Sequence, residues 1–298
     1  MICIITGWAC KTGIVDFYLS SIQLYGASYA NWDLFYTEKT RYKSLMSVSL
    51  LNRGGKPALA YAYTPAAPNT TAPLVMFCGG YRSNMNGTKA LYLETQCAAR
   101  GQAYLRFDYS GHGQSGGVFA EGTIGDWAQD SADILNAVHS DGPVILVGSS
   151  MGGWMALLLA LRQTECIAGI IGIAAAPDFT DDLFANRLSP AQKLALFRDG
   201  IVHVENDYSN EPYIFTRRFY EEAQQHRILD QPRSFNFPLI LIQGKQDADV
   251  DWRTAETIKQ RFEQGPVEIV YIEDGDHRLS RPEDLALIDK KIRKLSSL

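Results

Sequence analysis

Val144-Ile145-Leu146-Val147-Gly148-Ser149-Ser150-Met151-Gly152-Gly153 is the stretch on which the fold turns. An apolar, β-branched run leads into G-x-S-x-G with Ser150 at its centre, and an Ala/Leu-rich helical run from Trp154 to Leu161 follows. A strand that turns sharply into a helix holds the intervening residue in a strained backbone conformation, and flanking glycines are required because side chains there would collide. At average glycine usage of roughly 7% the bare pattern arises by chance in about one chain of this length in ten, so its context must carry it. The context agrees: strand before, helix former after, and no Pro in either run.

From residue 44 onward strand-like and helical runs alternate. The strand-like runs are 45–51, 59–63, 74–77, 103–107, 144–147, 169–173, 239–242 and 267–272. The later ones are apolar on both faces, as strands buried in a parallel sheet must be. Helical patterns fill the gaps at 88–100, 123–139, 154–163, 253–262 and 283–295, the last with Pro282 at its entrance. This order predicts an α/β fold, a doubly wound, mostly parallel eight-stranded sheet flanked by helices. The first two strands, joined by Asn52-Arg53-Gly54-Gly55, read as an antiparallel hairpin at one edge. Residues 178–236 break the alternation and show amphipathic pieces around 190–198 and 213–226 without a convincing strand. They are expected to form a helical cap whose Phe184, Leu188, Leu194, Phe197, Ile214, Phe215 and Phe219 pack onto the core, some of them lining an acyl pocket.

Composition narrows the function. The 298 residues suffice for one large domain (44–298) preceded by an extension, 1–43, that has no clean periodicity. A formal net charge of -5 with scattered Lys and Arg leaves no field for nucleic acid. The five cysteines are odd in number and lack metal-type spacing, which suits a reducing, cytoplasmic compartment without structural disulfides. No stretch is long and uncharged enough to span a bilayer, and the N-terminus lacks the basic region of a signal peptide. No oligomeric state is assigned.

A nucleophilic serine needs a base. Of the five histidines, His112 lies in a Gly-rich loop, His139 ends a helix, and His203 and His226 fall in the cap; His277 alone follows the last core strand. Asp247 lies on the first turn after Gly244 and is the expected orienting acid, with Asp249 and Asp251 nearer the following helix N-terminus. The oxyanion requires fixed, uncharged donors, and the backbone amides of Met151 and Tyr81 are expected to supply them. Gly111-His112-Gly113-Gln114-Ser115-Gly116 fits G-x-G-x-x-G, but about ten residues separate it from the next helix, so it reads as a structural turn rather than a dinucleotide site. Arg217-Arg218 is expected to be solvated. Neither a cofactor nor a metal is called for.

The chain resembles the α/β-hydrolase superfamily. Ser150, Asp247 and His277 follow its triad order, Asp108-Tyr109-Ser110-Gly111-His112-Gly113-Gln114-Ser115 is similar to its D-x-x-G-x-G-x-S turn, and Gly244-Lys245-Gln246-Asp247-Ala248-Asp249-Val250 to its acid loop, where Asp251 replaces a frequent Pro. More narrowly, Asn84-Met85-Asn86-Gly87-Thr88-Lys89-Ala90, Gly148-Ser149-Ser150-Met151-Gly152-Gly153-Trp154 and Asp276-His277-Arg278 resemble the mitochondrial palmitoyl-protein thioesterase and acyl-glucuronide esterase branch. That resemblance implies a cofactor-free serine esterase or thioesterase acting on a small-molecule or acylated-protein substrate, and a mitochondrial matrix location as the alternative to the cytoplasm. The competing readings are a catalytically silent scaffold that binds ligands, and a peptidase or carbon-carbon hydrolase using the same triad.

Overall fold

The computed structural model describes residues 48–139, 141–206 and 211–297, so the expectations for 1–43 lie outside the described residues. Within them, strands β1 (Ser49–Arg53), β2 (Lys56–Thr64), β3 (Leu74–Cys78), β4 (Tyr104–Phe107), β5 (Val144–Ser149) and β6 (Ile167–Ile173) are joined through helices α1 (Thr88–Ala99), α2 (Ile124–Val138) and α3 (Met151–Arg162). The cap then carries α4 (Phe179–Asp182), α5 (Pro190–Asp199), β7 (Ile201–Val204), β8 (Tyr213–Thr216), α6 (Arg217–Ala223) and β9 (Arg233–Ser234). The chain returns through β10 (Leu239–Gly244), α7 (Thr254–Arg261), β11 (Phe262–Glu263), β12 (Val267–Ile272) and α8 (Pro282–Ser296). Eight strands form one sheet in the order β1-β2-β4-β3-β5-β6-β10-β12. Only β2 runs antiparallel to its neighbours, and the expected hairpin pairs Arg53 with Lys56 across Gly54-Gly55.

Strand alternation sorts the core onto two faces. Val75, Phe77, Ile145, Val147, Ile171, Ile173, Ile240 and Ile242 meet Ala90, Leu93 and Cys97 of α1 and Ile288, Ile292 and Leu295 of α8. Their neighbours Leu74, Met76, Val144, Leu146, Ile170, Leu239 and Leu241 face the opposite cluster with Trp127, Trp154 and Ile258. Burying one such side chain contributes about 1.5–3 kcal/mol, so strands apolar on both faces are stable only in the sheet interior. β12 departs from that expectation. As the edge strand it is half-exposed at every residue.

The cap differs more. The segment 213–226 is not one amphipathic helix: Tyr213–Thr216 is a strand that pairs antiparallel with Ile201–Val204, and helix begins only at Arg217, after Thr216 caps it. Y-I-F-T and I-V-H-V carry aromatic and β-branched residues that fit a pleated surface, and pairing across the intervening chain fixes them as strands. The cap is therefore a helical insertion with an antiparallel hairpin. Leu188, Phe215 and Phe219 are buried as expected, but Leu194 and Phe197 are exposed. Asp178 ties the cap's two stems together, its carboxylate accepting from the amides of Ile228 (3.0 Å) and Leu229 (2.8 Å). Burial pushes that carboxyl up to about 6 against the pull of those amides. Among the described residues no helix is long and apolar enough to cross a membrane.

Candidate active site

Ser150 sits between β5 and α3 with φ 56° and ψ -122°, a conformation that costs a non-glycine residue on the order of 1–3 kcal/mol. Surrounding bonds hold it there: its amide donates to the Ile173 carbonyl (2.9 Å), and its carbonyl accepts from Gly153 (2.9 Å) and Ala176 (3.1 Å). The glycines of the motif are sterically required. A Cβ on Gly148 would lie 2.2 Å from the Gly152 carbonyl oxygen, and one on Gly152 would lie 2.0 Å from the Cys78 carbonyl oxygen.

His277, on the loop after β12, reaches Ser150 Oγ with Nε2 at 3.1 Å. Its Nδ1 lies 3.0 and 2.9 Å from the two oxygens of Asp247, which follows β10. With Nδ1–H directed at a carboxylate, Nε2 is left as the acceptor for the serine proton. The Asp247 side chain is wholly buried, and Oδ1 also accepts from the amides of Asp249 (2.9 Å) and Val250 (2.8 Å), while Oδ2 accepts from Gln243 Nε2 (2.9 Å). Burial opposes its ionisation, but the His277 hydrogen bond and charge and the two amides outweigh burial and hold the carboxyl below its usual range. Asp251 accepts from the Arg253 amide (2.9 Å) beside α7, as expected of it. The Asp249 carboxylate lies 3.8 Å from Arg187 of the cap.

Asp247, Asp249 and His277 place ligand-capable atoms within 4.8 Å of one another. A cation there would have to displace the His277–Asp247 hydrogen bonds, so the donor set fits the proton relay better than a metal.

The loop after β3 abuts the serine: a Cβ on Gly80 would lie 3.4 Å from Ser150 Cβ. Among the described residues neither the Tyr81 amide nor the Met151 amide donates to a backbone carbonyl. Met151 opens α3, where helix amides have no intrahelical partner, so its N–H is free for an oxygen beside Ser150.

The remaining motifs are structural. Asp108 Oδ1 accepts from the Met85 amide (2.6 Å) and Oδ2 from the Gln114 amide (2.8 Å). Gly113, at φ +45°, would put a Cβ 2.1 Å from Asp108 Oδ2, so this glycine-rich segment is the expected turn. Arg217 pairs with Glu221 and Arg218 with Asp126, both at the surface. His203 lies on β7 and His139 ends α2, while His226 bonds Glu222 Oε1 at 2.6 Å. Three further groups near the site received no role from the sequence, although one of them, Lys89, lies in the quoted segment 84–90. They are Gln243, Lys89, whose ammonium donates to the carbonyl of Arg278 beside the histidine, and Arg187, whose guanidinium donates to the Ala248 and Asp249 carbonyls.

His112 is buried among Tyr109, Phe119 and Trp127. Its Nδ1 lies 3.2 Å from the Ser110 carbonyl and so carries the proton, and Nε2 has no partner among the described residues. Burial, against the Ser110 bond and aided by Arg82, lowers its pKa from 6.5 to about 4. The unfolded chain therefore binds the extra proton first, and the stability that neutral His112 contributes is full above 6.5 and lost as pH falls toward 4. The difference is about 3 kcal/mol. Between pH 7 and pH 4, wild-type protein is expected to lose about that much more unfolding free energy than His112→Asn, which keeps the donor to Ser110. Equal losses in denaturant titrations at the two pH values would contradict it. The Asp178 shift has the opposite sign but is common to both proteins and cancels.

A mostly parallel sheet with a serine on the strand-to-helix elbow, bonded to a histidine that is in turn bonded to a carboxylate, both on later loops, defines an α/β-hydrolase. The chain belongs to the family described as Hydrolase_4, serine aminopeptidase, S33, which matches residues 69–284. It is 37% identical over 257 residues to the palmitoyl-protein thioesterase ABHD10, mitochondrial, of Homo sapiens, the match covering 85% of this chain and 82% of that protein. The structure of the alpha/beta hydrolase domain-containing protein 10 from mouse superposes with a TM-score of 0.76 at 36% identity, covering 84% of this chain and 100% of that one. Est1E from Butyrivibrio proteoclasticus, bound to ferulic acid, has the same fold at 18% identity and a TM-score of 0.66, covering 83% of this chain and 96% of its own. The chain is a hydrolase, and the superfamily and branch read from its motifs are borne out.

Proposed function

We propose that the protein is a serine hydrolase of acyl thioesters and esters that works through a covalent acyl-enzyme on Ser150. The observation that carries this is the unbroken chain from Ser150 Oγ through His277 to Asp247. Ser150 Oγ attacks the acyl carbon while His277 Nε2 takes its proton, and the amides of Tyr81 and Met151 hold the resulting oxyanion. The intermediate collapses as His277 returns the proton to the departing thiol or alcohol. Water then attacks the acyl-enzyme with His277 again as base, releasing the carboxylic acid and restoring Ser150. A silent scaffold would not need the strained elbow or the buried Asp247.

The named thioesterase relatives support an acyl thioester as substrate and a mitochondrial rather than cytoplasmic site of action. We read residues 178–236 as the cap that selects the acyl group, and the contiguous rings of Tyr81, Phe179, Phe215 and Phe219 as its apolar lining. Each buried methylene contributes about 0.8 kcal/mol, so four extra methylenes raise specificity by roughly two orders of magnitude. An octanoyl thioester is therefore expected to exceed the butyryl thioester by about 100-fold in kcat/KM. Equal values for the two would remove the acyl-pocket reading and leave the leaving group as the recognised part.

A further inference from the structure

The loop beside Ser150 is fastened to the cap by its own side chains. The Tyr81 hydroxyl donates to the Ile214 carbonyl of β8 at 2.5 Å, and its ring stacks on Phe215 with centroids 5.0 Å apart and planes 17° from parallel. The next residue continues the contact, Arg82 Nη1 donating to the Pro212 carbonyl at 3.0 Å. Two consecutive loop residues thus grip alternate carbonyls of the cap chain. Arg82 holds φ at 54°, a left-handed conformation that aims its side chain at a cost an arginine seldom bears. On the other side the same loop packs against the serine, with Gly80 the point of closest approach. A displacement of the β8 strand must therefore be transmitted to the Tyr81 amide.

We propose that Tyr81, through its phenol, and Arg82 are positioning residues that couple the seating of the cap to the oxyanion donor. The inference rests on the reading of the Tyr81 amide as that donor. Its consequence is a division of acyl-chain binding energy. A chain that packs under the cap hairpin fixes β8, β8 fixes Tyr81, and part of the favourable contact is realised only in the transition state, so it raises kcat instead of merely lowering KM. Longer chains are accordingly better processed, not only better bound.

The test is steady-state kinetics of wild type, Tyr81→Phe and Arg82→Met on butyryl and octanoyl thioesters. Tyr81→Phe keeps the ring and the amide and removes only the hydroxyl donor. It is expected to lower kcat for the octanoyl substrate by about five- to tenfold, the worth of one buried hydrogen bond, with KM changed less than twofold and the butyryl kcat least affected. Arg82→Met is expected to act in the same direction more weakly, and carries the test if Tyr81→Phe does not fold. A loss shared equally by both substrates, a loss confined to KM, or kinetics unchanged from wild type would overturn the coupling. Wild-type protein that hydrolyses neither thioester would instead overturn the proposed function itself, so the two failures are distinct.

Discussion

Ser150→Ala is expected to lower kcat by roughly four to six orders of magnitude and to abolish labelling by a fluorophosphonate, while the circular dichroism and thermal midpoint stay close to wild type. The elbow does not depend on the hydroxyl. Its backbone bonds run from the Ser150 amide to Ile173 and from Gly153 and Ala176 to the Ser150 carbonyl, and alanine meets the same conformational cost as serine at φ 56°. What disappears is the hydroxyl that lies 3.1 Å from His277 Nε2. Ser149→Ala should retain most activity. If the two variants exchange these behaviours, the elbow has been misassigned by one residue.

Asp247→Asn should cost about a thousand- to ten-thousandfold in kcat. The amide fills the same space but removes the charge that stabilises a protonated His277, and its NH2 group can present a donor where the carboxylate accepted from Nδ1. The two backbone amides and Gln243 now converging on Asp247 would face a group that no longer carries a negative charge. Asp249→Asn and Asp251→Asn serve as comparisons, since one lies near Arg187 and the other holds the Arg253 amide. Both are expected to stay within about tenfold of wild type. A loss at Asp249 as large as that at Asp247 would move the acid two residues along the loop.

The extent to which sequence foretold structure follows from the range of the interactions involved. Strands such as Val144–Ser149 and Leu239–Gly244 are apolar on both faces because helices cover both, and that pattern is written locally. So is the elbow, where Gly148 and Gly152 avoid clashes with chain only a few residues away or on the adjoining strand. The Asp247 and His277 assignments were legible because each lies on the first loop after a recognisable strand. The cap hairpin was not, because four-residue strands gain their stability from a partner across an intervening stretch, and the helix after Thr216 blurs the alternation of Tyr213–Thr216. Gln243, Lys89 and Arg187 act through individual side-chain hydrogen bonds, the first to Asp247 four residues on and the other two to loops 189 and 61 residues away, and such bonds leave no periodicity to read. The double role of Tyr81, amide toward the serine and phenol toward the cap, also needs the fold to be seen.

Whether Ser150 carries the acyl group is measured by reacting the wild-type protein with a fluorophosphonate and mapping the adduct by peptide fragmentation that resolves Ser149 from Ser150. One phosphonyl group per chain is expected, on Ser150, with thioester hydrolysis lost in proportion to labelling. An adduct on Ser149 or another residue, or hydrolysis that continues undiminished in fully labelled protein, would contradict it.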